Sequence, residues 1–171
     1  MKNIKSFLAI LSFVFAFSIA ASAQAVTLMT LDGEKVDVQG QKGKVVVLAI
    51  GASWLPLSNQ QAVLVNKLSK KYAGRDVVFY FVTTDSISVK SKNYADDASI
   101  RKFAASNKLN VPILRDSDGA ITLKKYGIDQ LPSFVILGKD GKPATESYVG
   151  IDTDPKIDII SAISREIDEI L

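Results

Sequence analysis

The chain has 171 residues, 47% hydrophobic and 23% charged, a balance that supports one ordinary hydrophobic core and excludes a disordered or fibrous polypeptide. Cysteine and histidine are both absent, which removes redox disulfides, cysteine nucleophiles, thiolate metal centres and serine–histidine–aspartate triads. The formal net charge of +3 rests partly on the leader described next, so it gives no ground for expecting a nucleic-acid partner.

Residues 1–23 have the layout of a secretory signal peptide: Lys2 and Lys5, an apolar run Phe7–Ile19 broken only by Ser12 and Ser18, then Ala21-Ser22-Ala23. The run is too short for a spanning helix, so export with cleavage is expected, with no stable membrane span afterwards. The new terminus would be Gln24, or Val26 if Ala23-Gln24-Ala25 is recognised. Cleavage leaves 19 basic against 18 acidic residues, a net charge of +1. Residues 24–171 are expected to form one domain, placed in the periplasm or cell envelope rather than freely secreted.

Val26–Leu31 and Glu34–Val38 read as strands joined at Asp32-Gly33, a strong hairpin signal. Val45–Ile50 is apolar throughout, as in a central strand covered on both faces. Leu57–Tyr72 carries Leu64, Val65, Leu68 and Tyr72 at helical spacing before Gly74. Asp76–Thr84 is a second apolar strand, and the strand, helix, strand order predicts a right-handed parallel crossover. Ser86–Ala95 is polar and without period. A helix is expected over Asp97–Asn107, with Ile100, Phe103 and Ala104 on one side, followed by a short strand at Val111–Leu114. Arg115–Gly119 reads as a turn, since the calcium-loop pattern that Asp116-Ser117-Asp118-Gly119 begins is not completed. Next come a short helix Ala120–Tyr126 ended by Gly127, and a strand Ser133–Leu137. A turn at Lys139–Lys142 leads to a partner strand Ala144–Val149. A final helix starting at Asp154-Pro155 aligns Ile160, Ile163, Ile167 and Leu171. The sum is an α/β three-layer sandwich with a mixed β-sheet flanked by helices and an N-terminal β-hairpin.

Four features in this order resemble the thioredoxin superfamily, in particular its exported TlpA-like thiol–disulfide oxidoreductase and redoxin branches. Val45–Ser58 (VVVLAIGASWLPLS) is similar to the family's apolar strand, small residues, Trp and C-P-x-C at a helix start. Leu114–Ile128 (LRDSDGAITLKKYGI) is similar to its acidic-Gly turn and short helix. Leu131-Pro132-Ser133-Phe134 is similar to its cis-proline loop, and Asp140-Gly141-Lys142 with Tyr148-Val149-Gly150 to its last hairpin. The resemblance covers residues 26–171 and implies a thioredoxin-like fold, with Leu55 and Ser58 in the two cysteine positions and Ala49 where a polar residue usually lies beneath them.

In such a site the helix N-terminus lowers a cysteine's pKa and makes its thiolate nucleophilic. Leu55 forms no thiolate, and Ser58 has no histidine to act as its base. No catalytic residue and no cofactor are therefore expected. The resemblance implies instead a binding face, for an exported protein or peptide, at Trp54, Leu55, Pro56, Leu57, Ser58, Gln130, Leu131, Pro132 and Ser133. Gln130 and Leu131 would supply main-chain groups and Trp54, Leu55 and Leu57 apolar contact. Trp54 is expected to pack under its loop, and Leu55, Pro56 and Leu57 read either as a hydrophobic lid on the helix end or as an exposed apolar contact patch. Ser58 and Asn59 read most simply as helix caps. Lys67, Lys70 and Lys71, and the later Lys90 and Lys92, read as solvated faces rather than a binding patch. The alternatives are an oxidoreductase or peroxidase by family, and a small-molecule carrier with an apolar mouth near Trp54.

Overall fold

The computed structural model describes residues 25–146, 148, 149, 151 and 158–171; the expected signal peptide and the Asp154-Pro155 helix start lie outside them. Seven strands form one sheet: β1 (Thr27–Thr30), β2 (Lys35–Asp37), β3 (Val45–Gly51), β4 (Val77–Thr83), β5 (Ile113–Arg115), β6 (Ser133–Leu137) and β7 (Tyr148–Val149). Their order is β2-β1-β5-β4-β3-β6-β7. Four helices accompany them: α1 (Pro56–Lys71), α2 (Asp97–Ser106), α3 (Thr122–Tyr126) and α4 (Ile159–Ile170). This is the mixed, thioredoxin-like sheet that the sequence predicts.

The central run β3 explains why the sheet must be covered twice. Its odd positions Val45, Val47 and Ala49 join Ala62, Val65, Leu68 and Tyr72 of α1, Phe103 of α2, and Ile163 and Ile167 of α4 in one buried cluster. Its even positions Val46, Leu48 and Ile50 join Leu28, Tyr80, Val82, Ile128, Val135 and Leu137 on the opposite face, with Leu123 and Tyr126 of α3 alongside. Alternation of side chains along a strand makes an uninterrupted apolar run the signature of two-sided burial. Of the α4 stripe, Ile163 and Ile167 are fully buried, and Ile160 and Leu171 flank the cluster.

Several boundaries shift, β5 to Ile113–Arg115 and the start of α3 to Thr122 among them, and three shifts have a clear local reason. The first hairpin turns over three residues, Leu31, Asp32 and Gly33, because Thr30 and Glu34 already pair (Thr30 N–H to Glu34 carbonyl, 2.8 Å) and Gly33 takes φ 86°. The turn before α3 winds as a 3₁₀ segment at Ser117–Gly119. Asp116 organises it by accepting hydrogen bonds from the backbone of Ile121 and Thr122 and from the Thr122 hydroxyl. Ala144–Glu146 form no strand; Pro143, which has no N–H to offer the ladder, makes a single bridge to Leu137 before pairing resumes at Tyr148.

Register decides where a site can form. Parallel β3, β4 and β5 end together, with Gly51 opposite Thr83 and Thr83 opposite Arg115, and antiparallel β6 begins at the same edge with Ser133 opposite Ile50. The carboxyl edge of parallel strands is where open α/β sheets present their ligand-binding loops. Trp54–Ser58, Asp85–Ala95 and Gln130–Ser133 all leave or enter the sheet there.

Candidate functional site

The helix that would carry a thiolate starts at this edge without a side-chain cap. Leu55 occupies the N-cap position with extended backbone, and Pro56 follows at the first helical turn. Ser58 is not the cap that the sequence suggested. It is fully buried, and its hydroxyl accepts a hydrogen bond from Ala52 N–H at 3.1 Å. Asn59 also turns away from capping, donating to the Pro56 carbonyl and accepting from Asn107 of the loop after α2. Leucine offers no oxygen, so the first N–H groups of α1 gain nothing from it.

Ser58 N–H donates to the Leu55 carbonyl at 2.9 Å, so one tight turn links the two positions. Ala49, six residues earlier, is fully buried among apolar neighbours. No charged group stands beneath the pair at that position.

Gln61, one turn further along α1, joins the two halves of the edge. It is fully buried, and its Nε2 donates to the Ile50 carbonyl at 3.2 Å and to the Ser133 carbonyl at 2.7 Å. The end of β3, the start of β6 and the first turns of α1 therefore share one bond-forming side chain. Gly51 is what lets it in: a Cβ there would stand 2.5 Å from Gln61 Oε1 and 2.7 Å from Ser58 Oγ, closer than any real contact.

On the β6 side the Leu131–Pro132 peptide is cis. Pro132 and Ser133 are buried, Leu131 is half-buried and Gln130 is exposed. The Gln130 carbonyl is already occupied by the Ser133 hydroxyl. Among the described residues, the N–H and C=O of Leu131 make no hydrogen bond. Of the two residues expected to offer main-chain groups, Leu131 is thus the one free to offer both.

Trp54 departs from expectation. It is 51% exposed instead of packed beneath its loop, while Leu55 and Leu57 are half-buried and Pro56 is exposed. What holds this loop is Asp85. Its carboxylate is fully buried and accepts from Ser53 N–H at 2.9 Å, from the Ser53 hydroxyl at 2.8 Å and from the Thr83 hydroxyl. A charged acceptor with three donors is a strong local tie. The available signal was the change from apolar to polar at Thr83-Thr84-Asp85, at the carboxyl end of a parallel strand.

Arg115 extends the tie outward. Its side chain is only 14% exposed; Nη1 pairs with Asp97, and Nη2 donates to the Ala95 carbonyl at 2.8 Å and the Asp85 carbonyl at 3.4 Å. Asp116 and Asp118 are spent on their own turn and on Ser86 and Ser117, in keeping with a turn in place of a calcium loop. A cleft of about 520 Å³ between the start of β1 and α3 is lined by Val26, Ile121, Lys124 and Lys125 among others, and shares no residue with this edge.

Comparison with known proteins agrees with the geometry. Thiol-disulfide oxidoreductase ResA of Bacillus thuringiensis is 28% identical over 116 residues, 68% of this chain and 61% of its own length. Thioredoxin-like protein YneN of Bacillus subtilis is 31% identical over 119 residues, 67% of this chain and 62% of its own. The chain thus spans about six-tenths of the length of these curated relatives. Among solved structures, a putative thiol:disulfide interchange protein DsbE from Chlorobium tepidum superposes with a TM-score of 0.69 at 22% identity, covering 86% of this chain and 94% of that one. The pneumococcal exposed lipoprotein thioredoxin of Streptococcus pneumoniae gives 0.65 at 25%, covering 85% and 98%. The family model described as Redoxin matches residues 19–160. With most of its length inside that match and both cysteine positions filled by other residues, this chain belongs to the Redoxin family within the thioredoxin superfamily.

Proposed function

We propose that the chain is an exported, redox-inactive member of its family that binds an extended polypeptide at the carboxyl edge of the sheet. The observation that carries this reading is that, among the described residues, both main-chain groups of Leu131 are without a hydrogen bond, at the same edge as the half-exposed Trp54. An extended peptide can satisfy both groups by adding a short stretch of strand pairing, while Trp54, Leu55 and Leu57 supply apolar area. The redox cycle of the family needs a thiolate and a mixed disulfide. Leu55 provides neither, and Ser58 Oγ is buried and already bonded to Ala52. Export rests on residues 1–23, and one structural relative at 25% identity is an exposed lipoprotein.

Two experiments test this. The purified protein should reduce insulin disulfides and consume peroxide no faster than buffer, whereas Leu55→Cys/Ser58→Cys should form an intramolecular disulfide, since an i, i+3 pair at a helix start is within bridging distance. Capture of partners from an envelope fraction should then be lost with Leu55→Asp/Leu57→Asp in a variant that folds normally. An unchanged partner set would overturn the assignment of function to this face.

A further inference from the structure

Three of the seven large apolar side chains exposed among the described residues, Ile87, Val89 and Tyr94, fall in the loop between β4 and α2. They are 66%, 75% and 42% exposed. A loose loop would explain this cheaply, but the loop is not loose. Its base is closed by Ser86 N–H to the Asn93 carbonyl (2.9 Å) and Ala95 N–H to the Ser86 carbonyl (3.1 Å), and an inner turn by Ser91 N–H to the Ser88 carbonyl (2.8 Å). Arg115 grips the carbonyls on both sides of it, at Asp85 and Ala95. Ile87 N–H and the Ser86 hydroxyl bind Ser117 and Asp118 of the neighbouring turn.

The same residue that anchors this loop anchors the Trp54 loop. Asp85 holds Ser53 through its side chain, Trp54 follows Ser53, and Ile87 lies two residues beyond Asp85. The loops that carry these two exposed apolar groups are therefore both anchored at Asp85. Such prior ordering reduces the entropy lost on binding.

Charge adds a direction. Lys90 and Lys92 lie between the apolar residues, both exposed, and neither forms an ion pair among the described residues. Of the acids around the loop, Asp97 is paired with Arg115, while Asp118, Asp96 and Asp85 keep their charge in hydrogen bonds to Ser86 and Ser117, to Ser99, and to Ser53 and Thr83. Within the exposed segment Ile87–Tyr94 itself, Lys90 and Lys92 are the only charged residues, so the apolar groups there are flanked by positive charge.

We infer that the Ser86–Tyr94 loop is the second wall of the binding face and that it takes an extended polypeptide with apolar residues interleaved with acidic ones. Trp54, Ile87, Val89 and Tyr94 supply the apolar contact, and Lys90 and Lys92 discriminate by charge. This rests on the peptide-binding reading above and names the class of peptide.

The test uses two fluorescein-labelled peptides with the same alternating apolar residues, interleaved with Asp/Glu in one and with Lys in the other, followed by anisotropy against the full chain. The acidic peptide should bind about threefold to tenfold tighter, and the margin should shrink in high salt. Lys90→Glu/Lys92→Glu should reverse the preference. Ile87→Ser/Val89→Ser should weaken both peptides by about tenfold, with near-ultraviolet circular dichroism confirming the fold. Equal binding of the two peptides, or loop variants indistinguishable from wild type, overturns the inference. If Leu55→Asp/Leu57→Asp nevertheless abolishes binding, the peptide-binding reading survives without the loop. If only the loop variants matter, the loop stands and the Leu55 face fails. Absence of binding by either peptide overturns both.

Discussion

Asp85 is the residue on which the geometry of the candidate site depends most. Removing its carboxylate would leave Ser53 N–H and the buried Thr83 hydroxyl without an acceptor, and a stranded buried donor costs more than a lost surface bond. Asp85→Ala should lower unfolding free energy by roughly 2–4 kcal/mol, read from urea denaturation. The more specific readout is optical, since Trp54 is the sole tryptophan and sits next to the residue that Asp85 holds. Its anisotropy should fall and its quenching by acrylamide rise in Asp85→Ala; a variant that is destabilised but optically unchanged would mean the tie does not order the loop. At this scale the sequence reading is weakest. Leu55 and Ser58 could be assigned by resemblance to a pattern, but the burial of Ser58 and the exposure of Trp54 depend on groups far away in the chain. Ser53 and Asp85 are 32 positions apart, and Gln61 and Ser133 are 72. No local propensity reports such pairs.

The helices show what capping does in the absence of help from packing. Where α1 lacks a side-chain cap, α2 and α4 have Asp96 and Asp158, each accepting from a backbone N–H three residues on. Hydrogen bonds from the Ser99 hydroxyl and backbone hold the Asp96 carboxyl below its usual range, and those from Ser161 do the same for Asp158. Because both folded values lie below the unfolded ones, the stabilisation is present above the ordinary aspartate pKa and is lost as pH falls through the folded values. Asparagine caps equally well without titrating. Asp96→Asn/Asp158→Asn should therefore match wild type near neutrality and lose less of its urea midpoint below about pH 4; an identical acid slope would show that the caps do not carry it. Elements of this kind were legible. Periodicity placed α1, α2 and α4 and the core faces of Leu68, Phe103 and Ile163. It missed by a few residues wherever a turn, such as that at Ser117–Gly119, is set by a side chain binding the backbone.

For the whole molecule, topology followed from two continuous apolar strands joined by a helix, because only two-sided burial accommodates them and only a right-handed crossover joins them. The strand pairings beyond that core, such as β1 inserted between β2 and β5, join segments too short to announce their partners. Composition has a consequence at this scale that no single element reveals. With no histidine in the chain, no side chain has an ordinary pKa between pH 5 and 8. Two phenols are shifted on the alkaline side, Tyr126 of α3 and Tyr80 of β4. Burial against the second cluster, reinforced by the negative charge of Asp37, pushes the Tyr126 hydroxyl up to about 12, and burial raises Tyr80 as well. A raised phenol pKa means the folded state favours the neutral form. Its contribution is complete below the unfolded value of about 10 and is lost as pH climbs through the folded value. The urea midpoint should accordingly stay level from about pH 6 to 9 and decline above about 10. Tyr126→Phe keeps the ring among its neighbours and removes the ionisation, so its midpoint should fall less steeply over the same range. Parallel alkaline declines in the two proteins would show that the loss arises elsewhere.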